Sequence, residues 1–311
     1  MSGDWAADYA DCALCPRRCR TDRRAGRRGV CGETAECHVA SIGPHFGEEP
    51  CFSGTRGSGA IFFRGCACRC FFCQNHQISR GGVGAPLNIE ALFAAAEGLV
   101  AQGVHNLNFV TGDHFWPHIA ELARRLRAAD HRIPLLLNTS GYVLSERVPD
   151  YARWMDIFLP DYKFADPDLA RMCMGDARYP DLALAALREM VAARGFLHPM
   201  DPSGRETARE GVLVRHLVLP GEVENSIAAL RRLRDEFGPR LPLSVMSQYR
   251  PVPGCRGRGG FERRLQRDEY AAVRAAVEEL EFESVFVQEL DDDDAFFPDF
   301  ESDQPFRGNA R

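Results

Sequence analysis

The sequence has almost no lysine. Of its 38 basic residues only Lys163 is one, and the rest are arginine. Such a skew reads as codon bias, so arginine-rich stretches mean less here than usual and the one lysine means more. Lys163 is expected to do something a guanidinium cannot, such as present a compact ammonium. Long apolar runs are also missing: none approaches the roughly 20 residues a membrane helix needs. The opening stretch, MSGDWAADYADC, is acidic and lacks the apolar core of a signal peptide. A cytoplasmic location, away from membranes, is therefore expected. No internal repeat is present beyond an alternation of β and α segments. With 45% hydrophobic and 26% charged residues and a formal charge of −6, the 311 residues suit a globular protein with a real core.

Cysteine, in contrast, is plentiful. Ten of the 12 lie before residue 74. In a reducing compartment such crowding argues for metal ligation rather than disulfides. Cys173 and Cys255 stand apart and are expected to be ordinary thiols.

Residues 1–58, rich in Cys, Gly and Arg, read as a small loop-built metal-binding module. From Gly59 the texture changes. The apolar run Gly59-Ala60-Ile61-Phe62-Phe63 suits a buried strand, and a cysteine loop follows it. A helix is expected over Asn88–Gln102, opened by the Asn and closed by Gly103. Strand Leu107–Thr111, helix Trp116–Ala129, strand Ile133–Asn138 and strand Ile157–Leu159 follow. Helix Leu182–Ala193, strand Val212–Leu219, helix Val223–Phe237 and strand Leu243–Ser247 complete six repeats. This spacing implies right-handed βαβ units and a parallel sheet. Six units are too few for a closed eight-fold barrel. The expected fold is α/β, an open, partial (β/α)6 TIM-like barrel over 59–250, with its chemistry at the C-terminal strand ends. Residues 251–290 read as an extension packing on the barrel, with helix Asp268–Glu281 and strand Val285–Gln288. Residues 291–311, with Asp291 to Asp294, read as a solvated acidic tail.

Cys66, Cys70 and Cys73 form a C-x3-C-x2-C loop. Three thiolates can each hold one iron of a [4Fe-4S] cluster and leave the fourth open, the mark of a reactive rather than structural site. Cys68 is an alternative ligand, though the spacing favours its neighbours, and Phe72 is placed to shield the cluster. The loop does not match the bacterial ferredoxin run C-x2-C-x2-C-x3-C-P, nor the paired C-x2-C units of zinc sites, and the open-cluster reading is preferred to both.

The C-x3-C-x-aromatic-C loop after the first strand of a β/α repeat resembles the radical S-adenosylmethionine superfamily. The wider chain is similar to pyruvate formate-lyase-activating-enzyme-like proteins with a cysteine-rich N-terminal segment. The matching stretches are Cys12-Ala-Leu-Cys-Pro-Arg-Arg-Cys19, Gly47-Glu-Glu-Pro50, Gly65–Asn75, Asn138-Thr-Ser-Gly-Tyr142, Pro160-Asp-Tyr-Lys163, Arg215–Gly221 and Met246-Ser-Gln-Tyr249. The resemblance implies that the open iron chelates S-adenosylmethionine. One-electron reduction, from a donor such as flavodoxin or ferredoxin, then releases a 5′-deoxyadenosyl radical that abstracts a hydrogen atom. It also implies a glycyl-radical enzyme as the partner activated.

Such a cofactor needs polar partners of both signs beside an apolar wall. Thr111-Gly112-Asp113-His114 closes the second strand where relatives carry Gly-Gly-Glu-Pro. Carbonyls around Thr111 and Gly112, with Asp113, are candidates for the cofactor ammonium. The alternative is a helix cap at Asp113 and a packed His114. Asn138-Thr139-Ser140 resembles the Asp-Thr-Asn-Gly of activases, and Asp161-x-Lys163 their Asp-Leu-Lys. By that resemblance Asn138, Thr139, Asp161 and Lys163 are candidates beside the cofactor carboxylate. An exposed pair worth little is the alternative for Asp161 and Lys163. Arg215 and His216 alternate within an apolar strand, so their side chains part. Arg215 inside the barrel suits cofactor contacts, against a structural ion pair. Gln248 and Tyr249 are candidates for the substrate end.

Cys12-x2-Cys15-x3-Cys19-x11-Cys31 supplies four thiolates, enough for tetrahedral zinc or for a second [4Fe-4S] cluster. Cys37 or Cys51 can replace one, and the spacing does not choose between metals. The arginines of this segment suit an acidic protein partner or a reductant better than nucleic acid. The leading expectation is thus a radical enzyme of the activase type. The runners-up are radical modification of another peptide or small molecule, and a non-enzymatic nucleic-acid or electron-transfer module.

Overall fold

The computed structural model describes residues 4–290 and 297–309. Its strands are β1 (His38–His45), β2 (Ser58–Phe63), β3 (Ala85–Pro86), β4 (Leu107–Val110), β5 (Leu135–Thr139), β6 (Ile157–Pro160), β7 (Gly211–Val212), β8 (Val214–Leu217), β9 (Leu243–Met246) and β10 (Val285–Val287). One sheet runs β3-β1-β2-β4-β5-β6-β7 and a second β10-β9-β8. Every pairing from β2 onward is parallel. The expected strand Val212–Leu219 is the hinge between the two sheets. Its first residues pair with β6 (Phe158 opposite Val212), and the rest pair with β9 (Val214 opposite Leu243). A bridge between Asp161 and Arg215 keeps β6 beside β8 across the break. The result is an open, crescent-shaped α/β barrel.

Parallel strands are covered on both faces, so they read as unbroken apolar runs. All of β2, β4 and β6 is buried. Helices form the outer layer. The helix Ile89–Ala101 starts where Asn88 Oδ1 accepts from Ala91 N–H at 2.8 Å, satisfying one of the orphan donors of its first turn. The helix Trp116–Ala128 carries Pro117 in its first turn and buries Ile119, Leu122, Ala123 and Leu126 at three- and four-residue spacing. The longest helix that went unread in the sequence is Pro167–Met174, capped by Asp166 and closed by Gly175 at φ 78°. No helix among the described residues is long and apolar enough to cross a membrane.

Two expectations need correction. The N-terminal module does not extend to residue 58, because β1 joins the main sheet antiparallel to β2, with Ile42 opposite Ile61. Cysteine density marks only the loops ahead of His38. The tail is not solvated throughout either. Asp291 to Asp294 lie outside the described residues, but Phe300 and Phe306 are buried against Phe62, with ring centroids 5.3 and 5.2 Å away. Their aromatic rings remove enough apolar surface from water to offset the acidic composition around them.

Candidate active site

Strand β2 delivers the chain to the cysteine loop through Gly65, at φ 83°. A Cβ there would stand 2.6 Å from Glu33 Cγ and 2.8 Å from the Cys31 carbonyl, so only glycine makes this turn. Cys66, Cys70 and Cys73 then line one cavity of about 440 Å³ at the C-terminal ends of the strands. That volume lies within the range of small-molecule sites. Cys68 lines it too, buried, its thiol donating to Ser140 Oγ at 3.2 Å. The bond from Cys68 draws the Cys66 thiol down towards the thiolate a metal ligand must be, and Cys68 itself is pushed up, first by burial. Burial pushes Cys73 up to about 12. Phe72 stacks on Phe261 at 6.2 Å and meets Phe71 edge-on at 5.5 Å, giving the loop a dry backing. The turn Pro253–Cys255 presses on the same loop: a Cβ on Gly254 would lie 2.2 Å from the Phe71 carbonyl.

Asp161 and Lys163 form an ion pair on the cavity wall. Burial opposes the ammonium, yet Asp161, with Cys70 and Cys68 nearby, more than compensates, and Lys163 is held above its ordinary value. The Tyr179 hydroxyl fixes this strand end. It accepts from Lys163 N–H at 3.0 Å and lies 2.9 and 3.0 Å from the carbonyls of Ser140 and Asp161. Gly141, at φ 74°, makes room for the crossing, since a Cβ would sit 2.1 Å from the Asp161 carbonyl. Asn138 and Arg215 line the cavity as well.

The second strand end departs from expectation. Thr111 lines the cavity, but Gly112, Asp113 and Thr139 do not. A Cβ on Gly112 would meet Ile119 and Phe63, so that residue faces the outer helix, and its carbonyl already accepts from Phe115 N–H at 2.7 Å. Asp113 opens a turn without capping it and is buried, which pushes its carboxyl up to about 6. His114 is packed, with Nε2 2.7 Å from the Arg64 carbonyl; burial pulls its pKa down to about 3, and it is neutral. The short turn after β4 is what rotates 112–114 out of the cavity.

In their place stand two acids that sequence reasoning did not assign. Glu48 and Glu49, from Gly47-Glu-Glu-Pro50, enter the cavity after β1 and grip Arg215. Arg215 Nε donates to Glu49 Oε1 at 2.8 Å, and Asn108 Nδ2 donates to Glu48 Oε1, also at 2.8 Å. Burial would raise Glu48, but Arg215, His45 and the Asn108 amide together outweigh it and hold the carboxyl low. The resemblance at 47–50 was the signal; what hid its role was β1, which was not read as a strand. His216 lies on the other side, fully buried, Nδ1 bonded to the Tyr162 carbonyl at 2.7 Å. Gln248 and Tyr249 also line the cavity. Asn75 Oδ1, on its wall two residues past Cys73, is buried with no partner.

The N-terminal thiols form a second group. Cys12, Cys15 and Cys31 are buried and Cys19 is half-buried. Cys15 is pushed up to about 12, by burial first and then by Cys31, Cys12 and Cys19. Among the described residues no three Cys, His, Asp or Glu side chains converge to hold a single ion. The group is fastened to the cysteine loop: Cys66 N–H donates to the Cys31 carbonyl at 3.2 Å, and Arg17 Nε to the Ala67 carbonyl at 3.0 Å. Cys51 is elsewhere, in a separate apolar cluster with Phe52 and Leu136.

A profile of the radical SAM superfamily matches residues 60–234. The chain belongs to that superfamily. A [4Fe-4S] cluster and S-adenosylmethionine come with membership, and the residues present fit both. Three loop thiols, an unpartnered amide oxygen and a carboxylate–ammonium pair share one cavity of suitable size. The uncharacterized protein MJ0674 of Methanocaldococcus jannaschii is 25% identical over 287 residues, covering 89% of this chain and 77% of that one. Among solved structures, Streptococcus suis SuiB bound to its precursor peptide SuiA aligns with TM-score 0.50 at 12% identity, over 72% of this chain and 46% of that one. SuiB bound to S-adenosylmethionine aligns with TM-score 0.50 at 11% identity, over 72% and 48%. The chain thus spans about half the length of SuiB, and the likeness is one of fold.

Proposed function

We propose that this radical SAM enzyme installs a glycyl radical on a partner protein, acting with a one-electron donor of the flavodoxin or ferredoxin type in the cytoplasm. The observation that carries the reading is the single cavity shared by Cys66, Cys70, Cys73, Asn138 and the Asp161–Lys163 pair. These are the positions where the sequence resembles the activases.

A [4Fe-4S] cluster held by the three thiols would supply the one-electron chemistry that cleaves S-adenosylmethionine reductively and opens hydrogen-atom abstraction. The chain's own residues hold and orient. Cys66, Cys70 and Cys73 would hold the cluster as its three protein ligands, leaving a coordination position open for the cofactor. Lys163, pinned by Asp161 and fixed at its backbone by Tyr179, sets a positive charge where a carboxylate would lie. Asn138 offers a neutral amide beside it. The rings of Phe71, Phe72 and Phe261 keep water from the loop.

A second reading, radical modification of a different peptide or small molecule, draws on Glu48, Glu49 and Arg215. These fixed charges inside the cavity suit a polar substrate. The test is electron paramagnetic resonance of a glycyl-radical enzyme incubated with reduced protein and cofactor. A glycyl doublet on the partner supports activation. Formation of 5′-deoxyadenosine with no doublet on any glycyl-radical partner would leave the second reading in its place.

A further inference from the structure

The N-terminal cysteine group is the strongest concentration of metal-ligating side chains outside the cavity. Its chain path is built to gather sulfur. Arg20 N–H returns to the Cys12 carbonyl at 2.9 Å and Arg18 N–H to the Cys15 carbonyl at 2.9 Å, with Arg18 and Arg20 both at positive φ. Two left-handed residues that are not glycine, one on each side of Cys19, are costly, and such strain persists where surroundings enforce it. Cys19 and Cys31 bring their sulfurs to 3.3 and 3.4 Å from where a Cβ on Gly29 would stand.

Arg23 supplies an independent observation. It is 1% exposed, and its partners are the Thr34 and His114 carbonyls, the Cys12 sulfur at 3.7 Å, and the rings of Tyr9 and Phe115. Among the described residues no carboxylate pairs with it. A buried guanidinium without counter-charge is strongly disfavoured, because it keeps its desolvation penalty without a compensating attraction. Metal-bound thiolates at its side would provide that charge.

Zinc and a cluster differ in the spread of their ligands. With Zn–S near 2.3 Å, four tetrahedral sulfurs stand only about 3.8 Å apart. Sulfurs around a four-iron cubane stand wider, each on its own iron. No three ligand side chains in the described residues converge tightly enough for one ion, and this holds equally for Cys66, Cys70 and Cys73.

We propose that Cys12, Cys15, Cys19 and Cys31 hold a second, fully ligated [4Fe-4S] cluster, seated against the radical-cluster loop through the hydrogen bond between Cys66 and Cys31. The full-length Cys66→Ala/Cys70→Ala/Cys73→Ala variant isolates it. After anaerobic reconstitution with iron and sulfide that variant should keep about four irons per chain, against about eight in the wild type. Its dithionite-reduced resonance should be unmoved by S-adenosylmethionine. The reciprocal variant, Cys12→Ala/Cys19→Ala, should also keep about four irons, and there the cofactor should shift the signal. In reduced wild-type protein the two spins should broaden one another beyond the sum of the two variant spectra. One zinc and no iron in the first variant, or about eight irons in the second, would overturn the assignment. These readouts do not involve turnover, so they stand apart from the choice of substrate.

Discussion

Replacing Arg215 by alanine removes the one guanidinium that Glu48 and Glu49 share inside the cavity. All three side chains are largely buried, at 12%, 6% and 6% exposure. Taking one partner from a buried ion pair costs about 3–5 kcal/mol, because the charge left behind keeps its desolvation penalty without the attraction. Two carboxylates are stranded here, so the loss should reach the upper part of that range at pH 7. The pH dependence has a definite sign. In the wild type Arg215 holds Glu48 below its ordinary value, so its contribution is present above the usual carboxylate pKa and is lost as pH falls through the lowered one. Without Arg215, burial, the largest influence on Glu48, is opposed only by His45 and the Asn108 amide, and the carboxyl rises. The folded variant then binds more protons than the unfolded chain, and its stability climbs as pH falls from 7 towards 4. The gap between the two proteins should therefore narrow in acid. Urea unfolding of metal-loaded protein, followed anaerobically by circular dichroism from pH 4.5 to 7.5, reads both quantities. The triple variant Arg215→Met/Glu48→Gln/Glu49→Gln should recover much of the loss, since it leaves no stranded charge. A penalty under about 1 kcal/mol that does not change with pH would refute the reasoning.

Two other perturbations follow from the geometry. Burial raises Asp113 to about 6, so between pH 4 and 6 the folded protein holds a proton the unfolded chain has lost, and stability falls as pH rises through that window. Asp113→Asn should leave the melting temperature unchanged near pH 4 and raise stability by about 1–3 kcal/mol at pH 7.5; a variant weaker at both pH values would count against this. Gly141→Ala and Gly175→Ala both place a side chain at positive φ, but only the first drives a Cβ into a backbone oxygen, while Gly175 has open space around it. Thermal melts should show a penalty of about 1 kcal/mol at 175 and at least twice that at 141, and equal penalties would mean the Asp161 strand end can shift freely.

Much of the fold was legible because a buried parallel strand leaves a local trace. Ile157–Pro160 is apolar throughout and Leu107–Val110 is apolar but for Asn108, and the helices between strands repeat at three and four residues. Strand β1, paired antiparallel between β3 and β2, left no such trace. It runs half-exposed from Ala40 to Pro44, and its register is set by pairing with β2, so periodicity within β1 says nothing about it. Glu48 and Glu49 went unassigned for that reason, although they carry the tightest charge cluster in the cavity. The Asp161–Lys163 pair was readable from one scarce residue type. Asp113 was not, because whether a residue after a strand turns in or out depends on the turn. Here Gly112 packs against Ile119 and carries Asp113 away from the cavity. Phe300 and Phe306 were masked by the acidic composition around them, which describes solvation on average and not two rings that find Phe62.

The most direct measurement of the central reading is the yield of 5′-deoxyadenosine from anaerobically reconstituted protein given dithionite and S-adenosylmethionine, with Cys66→Ala alongside. Cofactor cleavage by the wild type and none by the variant is the predicted result. A wild-type protein carrying its full complement of iron that releases no 5′-deoxyadenosine, or a Cys66→Ala protein that releases as much as the wild type, would contradict it.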